Sequence, residues 1–235
     1  MCIRERTDLS EAARAIRAIF PEPVVTVTTT ERAGGEEISL HPDEAACIVR
    51  AGAKRRREFA AGRSAARRAL EQLGIEGFAL VSDADRLPRW PEGVVGSISH
   101  CAGCCAVAVA TRGRILSLGL DVERAGPLAD GVLARICTPR ERERARALAP
   151  PEGVDWGKLV FSAKESAFKC YFPLARTLLG FQDMEVEFSA DAASFRARLL
   201  REDAPAAAGA RCFQGRAAWT RDLVFAGVVL ETGPR

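Results

Sequence analysis

Asp121 and Glu123 stand one residue apart in the run SLGLDVER. The run reads as the end of a β-strand, where period-two alternation turns side chains i and i+2 to the same face. Two hard oxygen ligands on one face suit Mg2+, which takes one or two protein carboxylates and completes its octahedron with waters and substrate phosphates. Taken alone, the pair reads as an ordinary solvated strand end. A second group lies in FSAKESAFKCYF, residues 161–172. A helix there buries Phe161, Ala167, Phe168 and Phe172 on one side and brings Glu165 and Lys169, four apart, together on another. An i,i+4 ion pair is the ordinary reading. The lysines set this helix apart: the chain has 30 arginines and 4 lysines, and Lys164 and Lys169 fall within six residues. A carboxylate able to act as base or metal ligand, beside an ammonium able to meet a phosphate, suits phosphoryl-type transfer.

Two further groups could meet an anion. In GSISHCAG, residues 96–103, small residues at a strand end allow backbone and hydroxyls to approach closely, and His100 could bond a phosphate or be structural. Lys54, Arg55, Arg56 and Arg57 are followed by Arg63, Arg67 and Arg68. Helical spacing spreads these around the axis, so at most half serve one ligand. A solvated face, nucleic acid and a nucleotide phosphate are the three readings of that charge.

The elements that must position these groups follow from pattern. A helix is predicted at about 10–19 and a strand over 24–30. A long helical region runs from Pro42 to Leu73, with Gly52 and Gly62 as points of breakage or bending and Gly74 as its end. PRWPEG at 88–93 is a loop, followed by strands at 94–99, 104–111 and 115–122. Helices are predicted at about 128–135, at 140–148 (charged throughout and so exposed) and at 155–175. Strands follow at 184–188, 195–200, 211–219 and 223–230. Helix followed by antiparallel strands thus occurs twice. This predicts an α+β protein of two similar lobes, 1–118 and 119–235, each a small sheet on a long helix, with a ligand between them.

At 235 residues and 48% hydrophobic, the chain can bury a substantial core. The charges Arg4, Glu5, Arg6 and Asp8 interrupt what a signal peptide would need, so a cytoplasmic location is expected. Cys101 to Ala110 is too short to span a bilayer. Eight cysteines without a regular framework are expected to be reduced thiols, and Cys101-Ala102-Gly103-Cys104 lacks the second ligand pair of a zinc site. A net charge of +3 is too small to argue for nucleic acid.

RRREFAAGRSAARRAL, RWPEGVVGSISH, GLDVE and FSAKESAFK, in this order, resemble the 4'-phosphopantetheinyl transferase family, closest to its siderophore-type and actinobacterial members. The resemblance runs from about residue 50 to residue 190, and the pairing of the GLDVE strand with a downstream K-E-x-x-x-K helix is its most specific part. It implies a pseudo-twofold pair of α+β lobes with coenzyme A between them. It also implies transfer of the phosphopantetheine arm to a serine of an apo acyl or peptidyl carrier protein. By the same resemblance Asp121, Glu123 and Glu165 would hold Mg2+, with Mn2+ as a substitute. Lys169 would stabilise the departing 3',5'-ADP, assisted by Lys164. Arg55 and Arg63 would clasp the 3'-phosphate, Ser99 and His100 would lie on the nucleotide, and Asp85 and Arg86 match a nucleotide-contacting loop. Catalysis would rest on Glu165, Lys169 and Asp121. Phe161 stands where many members have tryptophan, and the strand reads Leu-Asp-Val where they have Ile-Asp-Ile; both changes keep apolar side chains. A basic rim at Arg140 to Arg146 would meet an acidic carrier. A single subunit suffices, with no membrane or nucleic-acid partner. Two other readings use the same residues: a Mg2+-dependent phosphohydrolase acting on coenzyme A-like nucleotides, and a nucleic-acid module using residues 54–68. One Tyr and three Trp count against single-strand stacking in the latter.

Overall fold

The computed structural model describes residues 8–30, 38–129, 131–147 and 153–232. The charges at Arg4 to Arg6, Cys2 and the side chain of Arg146 lie outside what it describes. The architecture is α+β, with two antiparallel sheets. Helix α1 (Leu9–Ile19) starts at Asp8, whose carboxylate caps the amides of Ser10 and Glu11. Strand β1 (Val25–Thr29) follows. The helical region expected from Pro42 to Leu73 is two helices, α2 (Pro42–Ala46) and α3 (Ala53–Glu71), and Gly52 is the N-cap of the second. Strands β2 (Val94–Cys101) and β3 (Cys104–Thr111) complete a sheet of order β1-β3-β2. Alanines 65, 66 and 69 of α3 pack on it with Val27, Val107 and Val109.

The larger sheet has the order β4-β8-β7-β6-β5 and comprises β4 (Ile115–Arg124), β5 (Met184–Phe188), β6 (Ser194–Leu199), β7 (Cys212–Trp219) and β8 (Leu223–Glu231). Between β4 and β5 come α4 (Val132–Ile136), α5 (Pro139–Ala147) and α6 (Trp156–Ala175). Helix α6 buries Leu159, Val160, Ala163, Ala167, Cys170 and Tyr171 against this sheet. The two sheets therefore each carry a long helix, as the pattern predicted. The core is continuous between them: Ala12, Ile16 and Ile19 of α1 share one apolar cluster with Ala106 and Ala108 of β3 and Leu118, Leu120 and Phe225 of the larger sheet.

The sheets meet through β2 and β4, each the end strand of its own sheet. No backbone ladder joins them. Instead Ser97 Oγ accepts from the Leu120 amide at 3.0 Å and Ser99 Oγ accepts from the Val122 amide at 3.2 Å. The equal increments, 97 to 99 and 120 to 122, mean that the two strands run in the same direction. The serines thus satisfy amides that would otherwise be buried without partners.

Gly119 sets how closely α6 approaches β4. A Cβ at this position would overlap the Ser166 carbonyl oxygen and lie 2.6 Å from the Cys170 amide nitrogen. Two residues earlier, Ser117 Oγ donates to the Cys170 carbonyl at 2.7 Å. Helix backbone therefore lies directly on strand backbone. Gly119→Ala should push α6 away and cost about 3 kcal/mol, at the upper end of overpacking penalties. Thermal unfolding checks this, and an unchanged melting temperature would show that the contact has room to spare.

Candidate active site

The close packing of α6 on β4 carries Asp121 into the seam between the sheets, where it is only 3% exposed. Its Oδ1 accepts from Lys169 Nζ at 2.7 Å and from Ser99 Oγ at 3.0 Å, and Lys169 also donates to Ser99 Oγ at 2.9 Å. Oδ2 is buried with no hydrogen-bond partner. Such an atom calls for a ligand, because an unsatisfied carboxylate oxygen away from water costs free energy.

Helical spacing explains the rest of the wall. At about 100° per residue, Lys158, Glu165 and Lys169 fall within an arc of about 40° on α6. Lys158 Nζ reaches Glu123 Oε2 at 3.4 Å. Burial raises the Glu165 carboxyl affinity for a proton; Lys169 opposes this, while Asp121 and Glu123 add to it. Burial also raises Glu123, with Asp121 adding to the shift and Lys158 opposing it. Both glutamates therefore feel the neighbouring Asp121 charge, and a cation beside them relieves both. Among the described residues no group of three or more acidic, histidine or cysteine side chains is placed so that it could hold a metal ion by itself.

Across the seam, Arg55 Nη1 lies 3.0 Å from His100 Nε2. Glu58, one helical turn along from Arg55, comes within 3.3 Å of the same imidazole nitrogen. Arg63 is buried, with its guanidinium 4.0 Å over the Phe59 ring and Nη2 donating to Ser82 Oγ at 2.9 Å. Burial pushes its pKa down to about 10, and Nε has no partner. Asp85 and Asp83 both accept from Arg176 Nη1 at 2.8 Å, which ties their loop to the C-terminal end of α6. Arg86 in that loop has φ 67, in the left-handed region.

Three expectations change. Lys164 does not join Lys169. Five residues turn the helix by about 140°, and Lys164 instead points into the protein. It is 2% exposed and donates to the carbonyls of Ile136 and Phe181 at 2.8 and 2.7 Å, with Glu141 Oε2 at 2.8 Å. Ser99 and His100 face opposite ways, because alternation along β2 sends the hydroxyl into the seam and the imidazole toward α3. Helix α5 is not wholly exposed: Glu141 is 1% exposed and also accepts from the Thr138 and Val186 amides at 2.6 Å each. Lys158, Glu58, Arg176 and Ser97 were not singled out from sequence. Lys158 was legible, since it is a third lysine on the stripe of Glu165 and Lys169. The partners of Arg176 and Ser97 lie 91 and 23 residues away, and no local pattern marks them. The Cys101 and Cys104 thiols are both pushed up by burial, Cys104 to about 12, so they are poor metal ligands.

Acids and ammonium groups on β4 and α6, with guanidinium and imidazole groups on α3 and β2, suit an enzyme that handles phosphate esters. Residues 43–110 match the 4'-phosphopantetheinyl transferase N-terminal domain, and residues 117–224 match the 4'-phosphopantetheinyl transferase superfamily. The chain is 42% identical over 219 residues to 4'-phosphopantetheinyl transferase Svp of Streptomyces mobaraensis, covering 92% of this chain and 89% of that protein. It is 36% identical over 195 residues to 4'-phosphopantetheinyl transferase PptT of Mycobacterium tuberculosis, covering 80% and 85%. Enterobactin synthase component D of Salmonella typhi is 38% identical over 138 residues, covering 58% of this chain and 56% of that protein. The chain belongs to the 4'-phosphopantetheinyl transferase superfamily. It is an enzyme of that class, moving phosphopantetheine from coenzyme A to a carrier protein.

Two predictions separate the roles of these residues. Lys164→Ala leaves Glu141 as a buried, unpaired charge and should cost roughly 3–5 kcal/mol of stability, while Lys169→Ala should cost much less; urea unfolding of both variants checks this. Reversal of that order would place Lys164 at the site after all. The raised Glu165 pKa means that the folded state holds this proton more tightly than the unfolded chain, so ionisation of Glu165 destabilises the metal-free fold. Glu165→Gln in EDTA should therefore raise the melting temperature at neutral pH. The gain should vanish as pH falls below the ordinary glutamate value of 4.5.

Proposed function

We propose that residues 1–118 supply the nucleotide contacts, and that residues 119–235 supply the acids and the lysine that carry out the transfer. The observation that carries this reading is the buried, unpartnered Oδ2 of Asp121 beside two carboxylates whose proton affinities are raised. That donor set fits Mg2+, held by Asp121, Glu123 and Glu165 together with waters and substrate phosphates. When bound, Mg2+ neutralises charge on the pyrophosphate of coenzyme A and orients it.

This chain's own residues do the remainder. Arg55 and Arg63 hold the 3'-phosphate, with His100 on the nucleotide and Asp85 and Arg86 on the loop beside it. Lys169 donates to the leaving phosphate as the bond to 3',5'-ADP breaks. Glu165 accepts the proton of the carrier serine as its oxygen bonds to the β-phosphorus, directly or through a water. In the resting arrangement Lys169 bonds Asp121, so Lys169 and the carboxylate are held together until substrate phosphates compete for the ammonium. Arg140 and Arg142 on α5 face an acidic carrier. Both substrates are met in the cytoplasm, by a single subunit. Among the described residues no helix is long and apolar enough to cross a membrane.

Intact-mass spectrometry of an apo carrier protein incubated with the enzyme, coenzyme A and Mg2+ tests the reading. It should show a gain of one phosphopantetheine that EDTA or Asp121→Ala abolishes. Release of 3',5'-ADP with no carrier modified, across fatty-acid, polyketide and peptide carriers, would make the protein a hydrolase. Arg55→Ala should weaken coenzyme A binding more than dephospho-coenzyme A binding by calorimetry, and equal losses would remove Arg55 from the 3'-phosphate.

A further inference from the structure

Residues 82–88 form a tight hairpin. Ser82 bridges Pro88, the Asp83 amide donates to the Leu87 carbonyl at 2.9 Å, and Asp83 Oδ1 accepts from the Leu87 amide at 2.9 Å. Arg86 turns the chain at φ 67 and donates its amide to the Asp83 carbonyl at 3.0 Å. These bonds let the loop hold its own shape. Its contacts beyond itself reach both halves of the molecule. Asp83 Oδ2 and Asp85 Oδ2 accept from Arg176 Nη1 at 2.8 Å each, and Leu87 packs against the apolar cluster of the larger sheet. Ser82 Oγ accepts from Arg63 Nη2 at 2.9 Å. The loop thus joins α3 to α6.

Arg176 is the C-cap of α6, with φ 50, and its amide donates to the Phe172 carbonyl at 2.9 Å. It follows Lys169 by seven residues, about two helical turns, and so closes the stripe of Lys158, Glu165 and Lys169. We propose that Arg176 is a positioning residue for coenzyme A. Its guanidinium clamps the 82–88 loop to the end of the helix that bears Glu165 and Lys169, and so sets where the nucleotide lies relative to those two side chains. The inference rests on the reading of Asp85 and Arg86 as residues beside the nucleotide.

The clamp does little for stability. The Arg176 side chain is 49% exposed, and ion pairs open to solvent contribute little to folding. Its effect is on order. One guanidinium nitrogen holds two carboxylates whose like charges would otherwise drive them apart and loosen the loop. A loop fixed before the ligand arrives spares binding the entropy of fixing it then. Because a single nitrogen makes both bonds, an ammonium in the same place can make them too. Lysine can therefore stand in for this arginine, where an apolar residue cannot.

The test is calorimetric binding of 3',5'-ADP in EDTA, which needs neither metal nor carrier protein, alongside steady-state kinetics with coenzyme A and Mg2+. Arg176→Leu should weaken 3',5'-ADP by roughly 5- to 10-fold and raise KM for coenzyme A in proportion, with kcat within about 2-fold of wild type. Its melting temperature should fall by no more than about 3 °C. Arg176→Lys should restore the affinity. Asp85→Asn should weaken binding less in the Arg176→Leu background than in wild type, since both changes break one contact. Arg114→Leu, which breaks another exposed pair, with Glu231 at 3.1 Å, should change none of these binding values. Equal affinities in wild type and Arg176→Leu, or an equal loss in Arg176→Lys, would remove Arg176 from nucleotide binding. Tighter binding by Arg176→Leu would mean that the nucleotide has to break the clamp, which reverses the assignment. Failure of the wild-type enzyme to bind 3',5'-ADP would instead overturn the nucleotide reading on which the clamp depends.

Discussion

A carboxylate at 3% exposure between two sheets is costly unless its charge and its oxygens are satisfied, and the Asp121 side chain meets that demand for one oxygen only. Lys169 and Ser99 take Oδ1 and leave Oδ2 without a partner. Much of the surrounding structure serves this arrangement. Gly119 lets α6 lie on β4 closely enough for Lys169 to reach across, and Ser117 ties the same stretch of strand to the helix. The two seam serines replace a backbone ladder where β2 meets β4, which brings residues of one sheet against the acids of the other.

The contrast between the two lysines of α6 shows how one helix divides its labour. Lys169 is partly exposed and held by groups that a phosphate could displace. Lys164 is enclosed by two carbonyls and Glu141, with no donor left over. The same contrast holds among the acids: Glu141 is spent on two amides and Lys164, whereas Glu165 and Glu123 keep raised proton affinities because burial is only partly offset by nearby ammonium groups. A buried ion pair, Lys164 with Glu141, and the cluster of Glu165 and Lys169 thus lie on different sides of one helix.

Local pattern carried the elements well: β3 and β5 lie at the residues that β-branched and apolar runs predicted, and α6 begins one residue from its expected start. The same-face placement of Asp121 and Glu123, and the closeness of Glu165 and Lys169, follow from strand and helix periods and were readable at once. What periodicity could not show was which side of α6 met β4, and hence that Lys164 was turned away. Nor could it show that Ser99, adjacent to His100 in sequence, belonged to the seam. Both depend on contacts between residues far apart in the chain, where no repeat marks the partner. The break at Gly52 was legible as a glycine but not as an N-cap, because that depends on how α2 and the following turn pack.

The central claim is that Asp121 Oδ2 is a metal-facing atom at the junction of the two sheets. A crystal structure of the enzyme with coenzyme A and Mn2+, collected at a wavelength where manganese scatters anomalously, tests it most directly. The account predicts an anomalous peak at bonding distance from Asp121 Oδ2, shared with Glu165 or Glu123 and a phosphate oxygen. A peak elsewhere, with Oδ2 left uncoordinated or turned onto another protein group, would contradict it.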